Sequence, residues 1–132
     1  MELIINGDSC EITEPGELRV RLAQLNRTQF SEVWINHAAG WPAICALING
    51  EAAWLMYLRH KGDAGFSTRN PEYTGPTKAV IEYYLSNGQH DEYPASWNIT
   101  TVEAIRGLEF FFEKEGMAPW LRWYDDTLKS NL

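Results

Sequence analysis

Ala43-Ile44-Cys45-Ala46-Leu47-Ile48-Asn49-Gly50-Glu51-Ala52-Ala53-Trp54-Leu55-Met56-Tyr57-Leu58 is the stretch that decides the fold. Two apolar runs flank an Asn-Gly pair, whose residues both tolerate positive φ, the strongest short signal for a β-hairpin. The first run, residues 43–48, is apolar almost throughout. In the second, residues 52–58, Trp54, Met56 and Leu58 fall on one face of a strand and Ala53, Leu55 and Tyr57 on the other. A strand apolar on both faces belongs at the centre of a sheet that is covered on both sides. A helix over residues 43–58, or no hairpin at Asn49-Gly50, would overturn the reading.

Toward the N-terminus, residues 32–36 alternate weakly around Val33 and Ile35, and Leu3-Ile4-Ile5 forms a short first strand. Between them Thr13 is placed to cap a helix with Pro15 in its first turn. Leu18, Leu22 and Leu25 then share one helical face with Arg19 and Arg21 off it, over about residues 17–25, and Asn26 closes the helix.

Toward the C-terminus, residues 60–75 are loop-rich, with Gly62, Gly65, Pro71, Gly75 and the isolated aromatics Phe66 and Tyr73. A connection of that length is functional or mobile unless a short strand lies in it, and Phe66-Ser67-Thr68 is the candidate strand. Residues 79–85 read as a strand and Asn87-Gly88 as a second turn, after which residues 89–93 are polar and acidic and Pro94 limits pairing.

The last quarter has its own order: Ser96-Trp97-Asn98-Ile99, then Thr100 with Glu103 as a capping box, a helix over residues 101–115, and Gly116 as a left-handed stop. Val102, Ala104, Ile105, Leu108, Phe111 and Phe112 share one broad face of the helix. Phe110 falls instead among Glu103, Arg106 and Lys114, to be covered by the N-terminal helix or a loop, or left exposed for a partner. Trp120-Leu121-Arg122-Trp123 reads as a closing strand. Residues three apart in a strand point to opposite faces, so one Trp is expected under the helix, against Leu108, Phe111 or Phe112, and the other across the sheet or at its rim. The elements together predict a single α+β domain, residues 1–132, with an antiparallel-rich sheet of about five to seven strands and two main helices.

The composition, 45% apolar over 132 residues, suits a globular chain with a real core. A net charge of −7 disfavours nucleic-acid binding, which needs Lys and Arg for the phosphates, and suits either a basic partner or simple solubility. No apolar run reaches the roughly 18 residues of a membrane span, and residues 1–5 are too short and too acidic for a signal peptide, so a cytoplasmic location is expected. Cys10 and Cys45 make a poor disulfide framework, and Cys45 reads as a small buried side chain.

Signals of chemistry are few. His37, His60 and His90 are dispersed, with no pair at helical or metal-ligand spacing, so neither a metal nor another cofactor is expected. His90-Asp91-Glu92 sets an imidazole beside two carboxylates, fit for acid–base work or for a solvated turn, and Asp125-Asp126 invites the same choice. Neither a phosphate-cradling glycine loop nor a nucleophile elbow occurs, and no catalytic residue is assigned. Trp54, Trp97, Trp120 and Trp123 are read as strand residues that pack the core, whereas Trp41, between Gly40 and Pro42, sits in a turn and is the better surface candidate.

Taken in order, the capping box, long helix, Gly116 and W-x-x-W resemble the bacterial polymorphic-toxin immunity proteins, specifically the first-numbered immunity family. The likeness runs over about residues 30–124, is closest over residues 97–123, and is lost in the stretch to Asn26. It implies an α+β immunity protein, not an enzyme, that binds a cognate toxin and occludes its active site. Nucleic-acid-targeting, deaminase-like toxin domains are prominent among such partners. It also implies a monomer in a 1:1 complex with a protein, without nucleic acid or membrane. The toxin-binding residues expected from loop placement and composition are Asp63, Phe66, Glu72 and Tyr73 in one loop and Asp91, Glu92 and Tyr93 in the other, with Trp41 as a third contributor. Each loop offers a carboxylate beside an aromatic ring. The alternative is a secretion chaperone, also small and acidic, which would need a dimer or a long apolar groove.

Overall fold

In a computed structural model that describes residues 1–128, the first half of the chain runs β1 (Glu2–Ile5), β2 (Asp8–Glu11), α1 (Pro15–Ala23), β3 (Phe30–Asn36), β4 (Ala43–Asn49) and β5 (Ala52–Leu58). The second half runs β6 (Phe66–Arg69), β7 (Val80–Tyr84), β8 (His90–Pro94), a 3-10 turn (Ala95–Trp97), β9 (Ile99–Thr100), α2 (Thr101–Lys114) and β10 (Arg122–Asp125). Eight strands form one sheet in the order β10-β6-β5-β4-β3-β1-β2, with β9 pairing β5, and β7 and β8 form a separate hairpin. Every pairing is antiparallel. The fold class is α+β, as the patterning predicts. The main sheet is larger than expected because β2 adds a short strand with little apolar alternation of its own, while the short strand read before the capped helix at residues 96–99 shrinks to β9.

The central hairpin stands as read, with its turn displaced by one residue. Asn49 pairs with Ala52, so the two-residue loop is Gly50-Glu51. Gly50 has φ of 60° while Glu51 has no positive φ, the pattern of a type II′ turn and not of the type I′ turn that Asn-Gly favours.

The alternation within β5 explains the three layers. Ala53 and Leu55 join Ile44, Ala46, Val33 and Ile35 in a core closed by Leu18 and Leu22 of α1 and by Ala104, Leu108 and Phe111 of α2. Trp54, Cys45 and Leu47 face the other way, where Tyr83 of the β7–β8 hairpin closes a second core flanked by Trp34, Met56, Tyr93 and Trp97. The main sheet is therefore the middle layer. Gly107 lets α2 lie close on it, since a Cβ there would come within 2.7 Å of Leu55 Cδ1.

Both helices carry corrections at their ends. Glu14, not Thr13, is the N-cap of α1, and the Thr13 hydroxyl instead donates to Glu17 Oε1 at 2.9 Å. The helix stops at Ala23, short of Asn26. The capping box of α2 forms: Glu103 N–H donates to Thr100 Oγ1 and Thr100 N–H to Glu103 Oε1, each at 3.1 Å. The left-handed residue that ends α2 is Glu115, with φ of 57°, and not Gly116. Glu115 is held there by partners: its N–H donates to the Phe111 carbonyl at 2.7 Å, and its Oε1 lies 2.9 Å from His37 Nε2.

Of the two closing tryptophans only Trp123 is in a strand. It half-buries itself in the helix-side core and donates its indole N–H to the Ala118 carbonyl at 2.9 Å. Trp120 lies in the turn before β10, is 56% exposed, and meets Phe110 edge-on at 5.4 Å, so Trp120, and not α1, shields Phe110. Trp97 likewise belongs to the 3-10 turn rather than to a strand. Among the described residues no helix is long and apolar enough to cross a membrane.

Candidate functional site

The first predicted loop spends most of its chemistry on itself. The Asp63 side chain is only 2% exposed and accepts from Arg59 Nε at 2.8 Å, Arg59 Nη2 at 2.9 Å, and the backbone N–H groups of Arg59 and Gly65 at 2.9 and 3.1 Å. The Arg59 guanidinium, followed by these backbone donors, holds the Asp63 carboxyl far below the usual carboxylate range. Arg59 also lies 5.0 Å above the ring of Phe66, which opens β6 opposite Asp125 and Tyr57. Tyr73 donates its hydroxyl to the Pro76 carbonyl at 2.8 Å. Trp41 is half-buried beside Pro42. Of this group Glu72 alone is freely exposed.

The second predicted loop is not a loop but the β7–β8 hairpin, and its residues divide between two faces. Tyr93 points inward, stacked on Trp54 with centroids 4.1 Å apart and facing Trp97 at 6.0 Å. Its hydroxyl donates to Asp91 at 3.1 Å, and burial, with the Asp91 charge, pushes the phenol up to about 12. Beside it Tyr83 is fully buried and donates to Asn98 Oδ1. Outward point Val80, Glu82 and Tyr84 of β7 and His90 and Glu92 of β8. Val80 and Tyr84 are 55% and 43% exposed.

On that outer face Glu82 stands directly opposite Glu92. His90 Nε2 lies 3.2 Å from Glu82 Oε2 and 3.8 Å from Glu92 Oε1, and its ring stacks on Tyr84 at 4.7 Å. The three ligand atoms lie within 4.8 Å of one another, close enough to share a divalent cation. Sequence adjacency grouped His90 with Asp91 and Glu92. The structure turns Asp91 to the inner face and supplies Glu82 from the other strand. The Asn87-Gly88 signal alone misleads by one residue: a two-residue turn there would pair Tyr84 with Asp91, whereas the turn spans residues 86–88 and pairs Tyr84 with His90 and Glu82 with Glu92. The hairpin is tied down by Ser86, whose N–H and hydroxyl both donate to Glu32 Oε1 of β3, at 3.0 and 2.6 Å.

A third region was not anticipated. Arg69 lies 3.8 Å above the Trp97 ring and 4.6 Å from that of Tyr124, and donates to Ser67 Oγ at 2.9 Å. Ser67 in turn donates to Asp126 at 2.6 Å, so Asp126 belongs to a network and is not simply solvated. Beside Arg69 runs a groove of about 620 Å³ that also takes in Glu72, Trp120 and Arg122. Cys45 is fully enclosed, and burial pushes its thiol well above the ordinary range, which makes it inert.

Neither the profiles of known protein families nor the curated proteins contain a match to this chain.

Proposed function

We propose that the chain is an immunity protein, which seats on a cognate bacterial toxin domain and occludes its active site. The order of capping box, helix, glycine and tryptophans over residues 97–123 supports the family. The outer face of the β7–β8 hairpin supports the mode of binding. The observation that carries it is the direct opposition of Glu82 and Glu92, both exposed, between exposed Val80 and Tyr84. Like charges opposed across strands oppose folding, and the apolar flanks point away from the core. A cationic groove shaped for phosphates would neutralise both carboxylates while covering Val80 and Tyr84. A toxin that acts on nucleic acid, a deaminase-like domain above all, offers such a groove. In this reading Glu92 is a contact, Glu72 a rim residue, and Asp91 and Tyr93 hold the hairpin in place from behind.

The test titrates this chain into a purified candidate toxin domain of the deaminase-like class. Inhibition should titrate to one equivalent and leave the toxin chemically unchanged. Glu82→Lys with Glu92→Lys should weaken binding at least about tenfold and lose protection of cells, while Glu113→Lys on α2 should do neither. Protection untouched by the hairpin pair would overturn the assignment of the surface. Substoichiometric protection with a modified toxin would overturn the mechanism.

A further inference from the structure

Three side chains able to ligate a metal converge on the outer face of the β7–β8 hairpin, and strand pairing alone brings them together. Glu82 precedes His90 by eight residues, so no short ligand spacing announces the set. In the hairpin Glu82 stands opposite Glu92, and His90 lies on the same face of β8 as Glu92. One imidazole nitrogen and two carboxylate oxygens are a donor set that zinc accepts. Bonds of about 2.0–2.2 Å to a tetrahedral zinc put neighbouring ligand atoms about 3.3–3.5 Å apart. His90 Nε2 already lies 3.2 Å from Glu82 Oε2 and 3.8 Å from Glu92 Oε1, and the three atoms all fall within 4.8 Å of one another. Both carboxylates are exposed, so a small rotation closes the remaining edge.

The frame that carries these ligands is fixed from beneath. Asn49 Nδ2 donates to the Glu82 carbonyl at 3.0 Å, Tyr93 stacks on Trp54, and the His90 ring rests against Tyr84 at 4.7 Å. The backbone positions are thus set before an ion arrives, which lowers the cost of ordering the site. The charge is also unanswered. Among the described residues no Lys or Arg forms an ion pair with Glu82 or Glu92, and His90 is the partner of both. A protonated imidazole offsets one of the two negative charges, whereas a divalent cation held through the neutral ring offsets both.

We infer that Glu82, His90 and Glu92 form a surface site for a divalent transition metal, zinc being the best match, with water completing the fourth position. The imidazole selects against magnesium and calcium, which prefer oxygen ligands throughout. The inference does not rest on the toxin reading, although a metal held here would compete with a basic partner for the same two carboxylates.

The test is isothermal titration calorimetry of zinc chloride alone into the full chain, near neutral pH in a non-coordinating buffer. One equivalent should bind. His90→Gln and Glu82→Gln should each weaken binding at least about tenfold, the second because a ligand comes from each strand. Cobalt in place of zinc should give the visible absorption of a four-coordinate ion, and both variants should lose it. A large excess of magnesium should not displace zinc, and His60→Gln should bind as the unaltered chain does. No saturable zinc binding, or an affinity unchanged in Glu82→Gln, would overturn the inference. A loss in His37→Gln or His60→Gln equal to that in His90→Gln would place the metal elsewhere and overturn it too. Displacement by magnesium would overturn the assignment to a transition metal.

Discussion

The two faces of the main sheet are closed by different chemistry. On the helix side the seal is mainly aliphatic, with Phe111 at its centre, and its few polar handles, such as the Trp123 indole N–H on the Ala118 carbonyl, belong to partly buried residues. On the hairpin side it is aromatic, and nearly every ring carries a polar handle: Tyr83 needs Asn98, Tyr93 needs Asp91, and the Trp54 indole N–H is buried without a partner. An aliphatic seal is non-directional and supplies stability. An aromatic seal with polar handles is directional and fixes where the hairpin sits. That suits a layer whose outer face is proposed to meet a partner, because a two-stranded hairpin is marginal by itself and must borrow its order from what lies beneath. Cys45, Leu47 and Trp54 supply that support.

The comparison is broken most forcefully from the helix side. Phe111→Ala should cost about 3–5 kcal/mol in denaturant unfolding, as expected for a fully buried aromatic. A loss under about 1 kcal/mol would mean that α2 does not carry the main core. On the hairpin side, Asn98→Ala should cost about 2 kcal/mol, because it strands the Tyr83 hydroxyl in the second core and removes the Asn98 amide donor to the Pro94 carbonyl, a bond of 2.8 Å. Near-ultraviolet circular dichroism should change more for Asn98→Ala than for Phe111→Ala, since the stacked rings lie on that side.

Alkaline pH should act mainly on the hairpin side, with a smaller contribution from Tyr57 on the helix side, whose phenol burial also raises. Tyr93 has a folded-state pKa raised to about 12 from an ordinary value of 10, and burial raises Tyr83 as well. A phenol raised in the fold stabilises it fully below the unfolded pKa and ceases to do so as pH climbs through the folded one. The tyrosine contribution to stability should therefore hold to about pH 10 and fall between about pH 10 and 12, by about 1 kcal/mol for the half-exposed Tyr93 after solvent screening. Tyr93→Phe should flatten that part of the profile. A profile unchanged by the substitution would remove Tyr93 from the seal.

The smallest effect separates folding from function. Glu82→Gln relieves the repulsion from Glu92 and should stabilise the fold by about 0.2–0.5 kcal/mol while weakening binding to a basic partner. A loss of stability instead would show that Glu82 serves the fold, through His90, and not the interface.

What could be read from the chain was whatever is encoded within a few residues. The alternation of β5, the capping box at Thr100 and Glu103, the amphipathic face of α2 and the turn at Asn87-Gly88 are local patterns, and each has its counterpart in the structure, except that Val102 of the α2 face is exposed. The loop residues were less legible, because composition does not say which way a side chain turns. Asp63 looks like a free carboxylate until Arg59 and Gly65 close around it, and Asp91 and Tyr93 look like surface residues until strand pairing sends them inward.

The sequence by itself determined most of the elements, the two faces of β5 and the antiparallel-rich α+β plan, because backbone periodicity and capping are short-range. Only the tertiary structure decided where charges meet. It brought His37 to Glu115, Ser67 to Asp126 and Ser86 to Glu32, pairs set by strand register and layer stacking between segments far apart in the chain. The energies that set register come from burying the opposite face of each strand and carry no information about which charges that register leaves facing each other in water.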